Sequence, residues 1–177
     1  MGKEKTIDTD FESPKRWEKA YNSPLECGIR VLILLTNSYP KALDIQRLLQ
    51  YDYLLVHSGD VEEGPKSLHP QTPLRSTELL VRRTLVAQGL DLMLTRNLID
   101  TDYSAKGIFY RAAELAPSFL DQFASEYISA LRERSAWVVQ HFGAYSDKEL
   151  HSFMRKNWDR WGAEFSRNYS ITDGAIG

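Results

Sequence analysis

A single cysteine, Cys27, stands in 177 residues, which excludes an intrachain disulfide and a cysteine-based zinc cluster and fits a reducing compartment. No apolar run approaches the ~20 residues of a membrane-spanning helix, and the polar start has no apolar signal-peptide core. A cytoplasmic location with no membrane contact is therefore expected. Net positive charge is missing as well: 22 basic against 24 acidic side chains leave a formal charge of -2. Any nucleic-acid contact must then come from a local patch. There is no Gly-rich loop with a following Lys and Ser/Thr to cradle phosphate, no GxSxG elbow and no HExxH, which lowers the odds of an enzyme. No internal repeat or low-complexity tract points to a solenoid. What is present, 42% hydrophobic and 26% charged residues, is the composition of a globular chain long enough to bury a sizeable core.

The stretch from Ser76 to Arg111 organises that chain. Thr77 to Asn97 reads as a helix, with Leu79, Val86, Leu90 and Met93 on one face. Leu98 to Tyr103 and Ile108 to Ala112 then flank Ala105-Lys106-Gly107, where Gly107 can take the positive φ of a tight hairpin turn. A helix feeding a two-stranded wing is the second half of a winged helix-turn-helix. The expected class is mainly α: a winged helix-turn-helix core with a small β-hairpin wing and a C-terminal helical extension.

Along the chain, residues 1–20 are charged and read as a mobile arm. Residues 21–115 form the winged domain. Ser23 caps a helix with Pro24 in its first position, apolar nearly all round through Asn37 until Pro40 ends it, and Cys27 lies in its core. Asp44 caps a second helix to about His57, whose Tyr51 and Tyr53 point to different sides, one to the core and one to a partner. Residues 58–75, SGDVEEGPKSLHPQTPLR, form a long inserted loop in which Gly59, Gly64, Pro65, Pro70 and Pro73 exclude regular structure. A DNA-reading helix-turn-helix uses a turn of three or four residues, so this loop fits partner binding better, with Leu68 and Leu74 as anchors. Ala116-Pro117 opens a long helix through about Phe142, and Ser146 with Glu149 makes the capping box of a last helix. This extension, residues 116–165, carries Trp137, Trp158 and Trp161 and is expected to dock on the core or on another subunit. A frayed tail, residues 166–177, follows.

His57, Asp60 and His69 are the only cluster resembling metal ligands or an acid/base set, but their spacing matches no ligand motif. They read as helix-end and loop-backbone partners, and Glu62-Glu63 as a solvated pair. No catalytic residue, metal ligand or cofactor site is assigned. Partner binding is placed on Leu68, His69, Pro70, Leu74, Arg75, Trp158 and Trp161. Arg82, Arg83, Arg96, Lys106 and Arg111 form a basic face suited to phosphate, against the alternative that Glu78 pairs with Arg82 and the rest is solvated.

Four runs carry a resemblance to a known family: Asn22-Ser23-Pro24-Leu25-Glu26 with Gly28 and Arg30, YDYLLVHSGD from Tyr51, GPKSLHPQTPLR from Gly64, and ELLVRRTLVAQGLDLM from Glu78. Over about Tyr21 to Val139 the chain resembles the middle component of ABC-three-component systems, bacterial defence operons that include those called Lamassu. The SGD…GP.SLHP.TP.R loop is the most specific part. The resemblance implies a non-enzymatic bridging subunit, similar in role to the winged-helix and kleisin-type subunits on SMC ATPase heads. Its partners would be an SMC-like ATPase and a nuclease or other effector, with DNA reached through the complex. The rival readings are a free-standing winged-helix transcription regulator and a metal-dependent hydrolase using His57, Asp60 and His69.

Overall fold

The computed structural model describes residues 23–70 and 75–158, with the side chains of 75–80 left aside. Its first helix, α1 (Pro24–Ser38), starts where Ser23 Oγ accepts the Glu26 N–H at 3.2 Å, with Pro24 in the first turn, where a missing N–H costs nothing. Every residue from Cys27 to Leu35 is buried, so α1 is the axis of the molecule. A short strand, β1 (Leu43–Asp44), leads into α2 (Ile45–Val56), which Asp44 caps by accepting the Arg47 N–H at 2.8 Å. After the loop comes α3 (Arg75–Leu94), and then the hairpin of β2 (Ile99–Ser104) and β3 (Gly107–Ala112). The sheet is antiparallel in the order β1-β3-β2. The chain order is helix, strand, helix, helix, strand, strand. The expected mainly helical class with a small hairpin is what the chain adopts.

Local chemistry accounts for both reversals around the hairpin. Asn97 takes φ 55°, in the left-handed region that Asn tolerates, and turns the end of α3 into β2. Gly107 takes φ 124°, which a side chain would strain, and Tyr103 pairs with Ile108 at the tip.

The extension differs from its expected form. Instead of one helix from Ala116 to Phe142, there is a short α4 (Ala116–Leu120), a break, and α5 (Glu126–Phe142). The break occurs because Ser125 adopts an extended cap conformation and accepts the Ile128 N–H, restarting the helix. Gly143 follows α5, and Ser146 caps α6, residues 147–158, through the expected box: Ser146 N–H and Oγ both meet Glu149 Oε2 at 2.7 Å. Leu131, Val138, Phe142 and Leu150 join the same core as α1 and α2. At about 2 kcal/mol for each large apolar side chain buried, α5 and α6 are integral to the fold.

That packing also corrects the expectation for α2. Tyr51 and Tyr53 are 1% and 0% exposed, so neither is open to a partner. Tyr51 accepts a bond from Arg47 at 3.1 Å, and Tyr53 packs 5.0 Å from the ring of Trp158, so α6 covers the side expected to be free.

The calls that fall on the arm 1–20, on Leu74 and Trp161, and on the tail 166–177 lie outside the described residues, as do the side chains of Leu79, Glu78 and Arg75. Among the described residues, no helix is long and apolar enough to cross a membrane.

Candidate functional site

The inserted loop is held to the body by buried charge. Arg30 of α1 and Arg82 of α3 both point at Asp52 of α2: Arg30 Nε donates to Asp52 Oδ1 at 2.6 Å, and Arg82 Nη1 to Oδ2 at 2.6 Å. Arg30 and Asp52 are 0% exposed and Arg82 is 4% exposed. Burial alone raises the Asp52 carboxyl, but the two guanidiniums outweigh it and hold it down at about 2. Burial likewise works against the charge of Arg30, and the facing Asp52 overcomes it and raises the guanidinium above its ordinary value.

From Arg30 the network continues outward. Its Nη1 donates to Glu26 Oε1 at 2.7 Å, and the Tyr127 hydroxyl of α5 donates to the same oxygen at 2.6 Å. Tyr127 has one proton and gives it to Glu26, so His69 Nε2, 2.7 Å from the hydroxyl, is the donor in that bond. Burial and the Glu26 carboxylate push the Tyr127 phenol far above its usual range, which keeps the proton in place. The loop therefore ends in a relay from His69 through Tyr127, Glu26 and Arg30 to Asp52. Its backbone is tied down as well, since the Leu68 and His69 N–H groups both bond to Val56 O.

The other end of the loop is fixed separately. Ser58–Asp60 form a 3-10 turn, and Asp60 accepts the Tyr53 hydroxyl at 2.6 Å while His57 packs against the Tyr53 ring at 4.8 Å. His57 and His69 approach edge to face at 6.3 Å, but Asp60 and His57 both engage Tyr53 while His69 bonds to Tyr127. Among the described residues, no three His, Cys, Asp or Glu converge as metal ligands. This chemistry is that of a latch, with neutral and charged hydrogen bonds that fix a loop. Cys27 is enclosed too: Arg30 Nη2 lies 3.0 Å from its sulfur, and burial with the Asp52 charge pushes the thiol up to about 12.

Of the residues expected to bind a partner, His69 is buried in the latch, Leu68 and Trp158 are partly buried against the core, and Pro70 is exposed. The expected basic face is dispersed. Arg82 does not belong to it, because it lies four residues before Val86 on the core side of α3 and is spent on Asp52. Arg111 pairs with Asp102 at 3.1 Å and Arg96 donates to Leu92 O, while Arg83 and Lys106 are exposed.

Two surfaces escaped the sequence reading. Tyr103 and Ile108, opposite one another at the wing tip, are 76% and 45% exposed. They share the hairpin face that nearer its base buries Ile99 and Ala112, so the alternation that marks a buried face runs on past the body. A second surface lies on α6, where Lys148, His151, Arg155 and Lys156 are all exposed. Its signal was present as i, i+3, i+4 spacing, hidden by the acids interleaved with it.

A family model, ABC-three component (ABC-3C) system Middle Component 2, matches residues 20–164, which takes in the latch, the wing and α6. No curated protein and no solved structure matches the chain.

Proposed function

The chain belongs to the ABC-three component (ABC-3C) system Middle Component 2 family, and from that membership we propose a non-enzymatic bridging role in a Lamassu-type anti-phage system. It is a component of an ABC-three component defence system that works with other components. The proposed partners are an SMC-like ABC-type ATPase and a nuclease or other effector, with this subunit carrying movement of the ATPase heads to the effector. For that it must bind two states of the heads with different affinity.

The observation that carries this reading is the wing tip. A wing that reads an operator offers cations to phosphate. Here the tip offers Tyr103 and Ile108, apolar and projecting, beside one exposed cation, Lys106, with Asp100 and Asp102 also exposed on β2 and Arg111 already paired to Asp102. An aromatic and a branched aliphatic side chain at an exposed tip are suited to anchor a protein interface. The latched loop supports a second contact: Leu68 and His69 hold its returning end while Pro70 faces out, and we assign Leu74, Arg75, Trp158 and Trp161 to the same contact.

Affinity purification of the tagged chain from its native operon, followed by mass analysis of the intact assembly, tests the reading. A coiled-coil ATPase and an effector should co-purify, and Tyr103→Asp with Ile108→Asp should release at least one of them. Emergence of the chain alone, as a homodimer that binds a palindromic duplex, would replace the bridge with a transcription regulator.

A further inference from the structure

The first turn of α6 carries two acids, Asp147 and Glu149, both exposed and both hydrogen-bonded within the chain. Asp147 Oδ1 accepts from Arg47 Nε at 2.9 Å, and Glu149 is held by the Ser146 amide and hydroxyl. Those bonds keep the Glu149 carboxyl below its ordinary range and turn it back toward its own cap. Lys148, Arg155 and Lys156 have no carboxylate partner among the described residues. They converge with His151 and Ser152 around one shallow basin of about 410 Å³. At 1.5 Å per residue, Lys148 and Lys156 lie about 12 Å apart along the helix, a span that covers about three to four successive phosphates at ~3.4 Å of axial rise each.

We propose that this face of α6 is a contact site for the phosphodiester backbone of duplex DNA, with Lys148, Arg155 and Lys156 as the charge partners and Ser152 as a neutral donor. The composition of the face selects this ligand over others. A protein interface requires an apolar centre, but among the described residues the large exposed apolar side chains, Leu25, Tyr39, Val81, Tyr103, Ile108 and Leu115, all lie outside α6. Single-stranded nucleic acid requires aromatic platforms, and the described aromatics of α6, Phe153 and Trp158, pack on Phe142 and Tyr53. Cations with a hydroxyl and no anchor are what backbone contact uses. The isolated chain suffices for this contact, so a failed assembly in the purification above leaves it standing.

The test is fluorescence anisotropy of the full chain with a labelled 20-base-pair duplex at 50, 100 and 200 mM KCl. Three phosphate contacts predict a slope of log K on log salt near -3, or about a 40-fold loss between 50 and 200 mM. Lys148→Gln, Arg155→Gln and Lys156→Gln combined should weaken binding at least ~10-fold at 50 mM and flatten the slope. Arg83→Gln with Lys106→Gln should change affinity less than about twofold. The assignment is overturned by any of three results: no binding of the wild-type chain at 50 mM, wild-type affinity in the α6 variant, or loss in the wing variant instead. A labelled polyglutamate that binds where the duplex does not would transfer the face to an acidic protein partner and overturn it equally.

Discussion

Gly28 and Gly89 face each other where α1 crosses α3, so closely that a Cβ on Gly89 would stand 2.5 Å from Gly28 N and 2.9 Å from Pro24 O. Those neighbours are backbone and cannot swing aside. The crossing brings α3 near enough for Arg82 to reach Asp52, so the glycine pair positions the buried ion network. Ala at position 89 gains about 1 kcal/mol of helix propensity and costs up to about 3 kcal/mol of overpacking. Gly89→Ala should therefore destabilise the chain by about 2 kcal/mol, visible as a lower midpoint in urea.

Asp52 sets the acid limit of stability. Its carboxyl titrates at about 2 in the folded chain against 3.8 ordinarily, so the unfolded chain binds more protons between those values. The contribution, about 2 kcal/mol, is complete above about pH 4 and is lost as pH falls toward 2. Urea titrations across that window should show the decline. Asp52→Ala leaves two guanidiniums buried without their carboxylate and should cost about 3–5 kcal/mol at neutral pH, removing most of the pH dependence.

The Tyr127 hydroxyl bridges Glu26 and His69, so Tyr127→Phe removes that bridge, leaves the longer direct approach of His69 Nε2 to Glu26 Oε1 at 3.6 Å, and keeps the ring packing in place. A loss of about 1–2 kcal/mol is expected. Amide exchange should quicken at Leu68 and His69, whose N–H groups bond to Val56 O, and stay unchanged in the hairpin.

Cys27 is the sole thiol, fully enclosed and held protonated at any physiological pH. A disulfide reagent such as DTNB should not react with the native chain and should release one equivalent of thiolate in denaturant. Fast labelling of the native chain would show that α1 opens locally.

The sequence itself makes visible the features whose causes lie within a few residues. Ser23, Asp44 and the Ser146–Glu149 box cap helices because their oxygens reach an amide three residues on, and Gly107 turns the hairpin because of its own backbone. The Ser125 cap was equally local and was overlooked beneath a continuous apolar pattern from Phe119 to Val138. The latch was less legible. Arg30 looks like an exception on an apolar helix until it meets Asp52, 22 residues away. Arg82 and Arg83 are adjacent in the chain and opposite in fate, since only Arg82 falls on the helix face that Val86 and Met93 bury.

What the sequence determined alone is the helical class, the hairpin and the helix starts at Ser23, Asp44 and Ser146, because capping, periodicity and backbone freedom act over one turn of chain. What tertiary structure decided is where charge ends up. Asp147 stays on the α6 surface but is paired by Arg47, 100 residues earlier, and Asp52 draws Arg82 into the core from 30 residues later. Desolvating a charge costs several kcal/mol unless it is paired, so each pairing in the core fixes which charges remain outside. The surface left for a partner is therefore known only once the interior has been assembled.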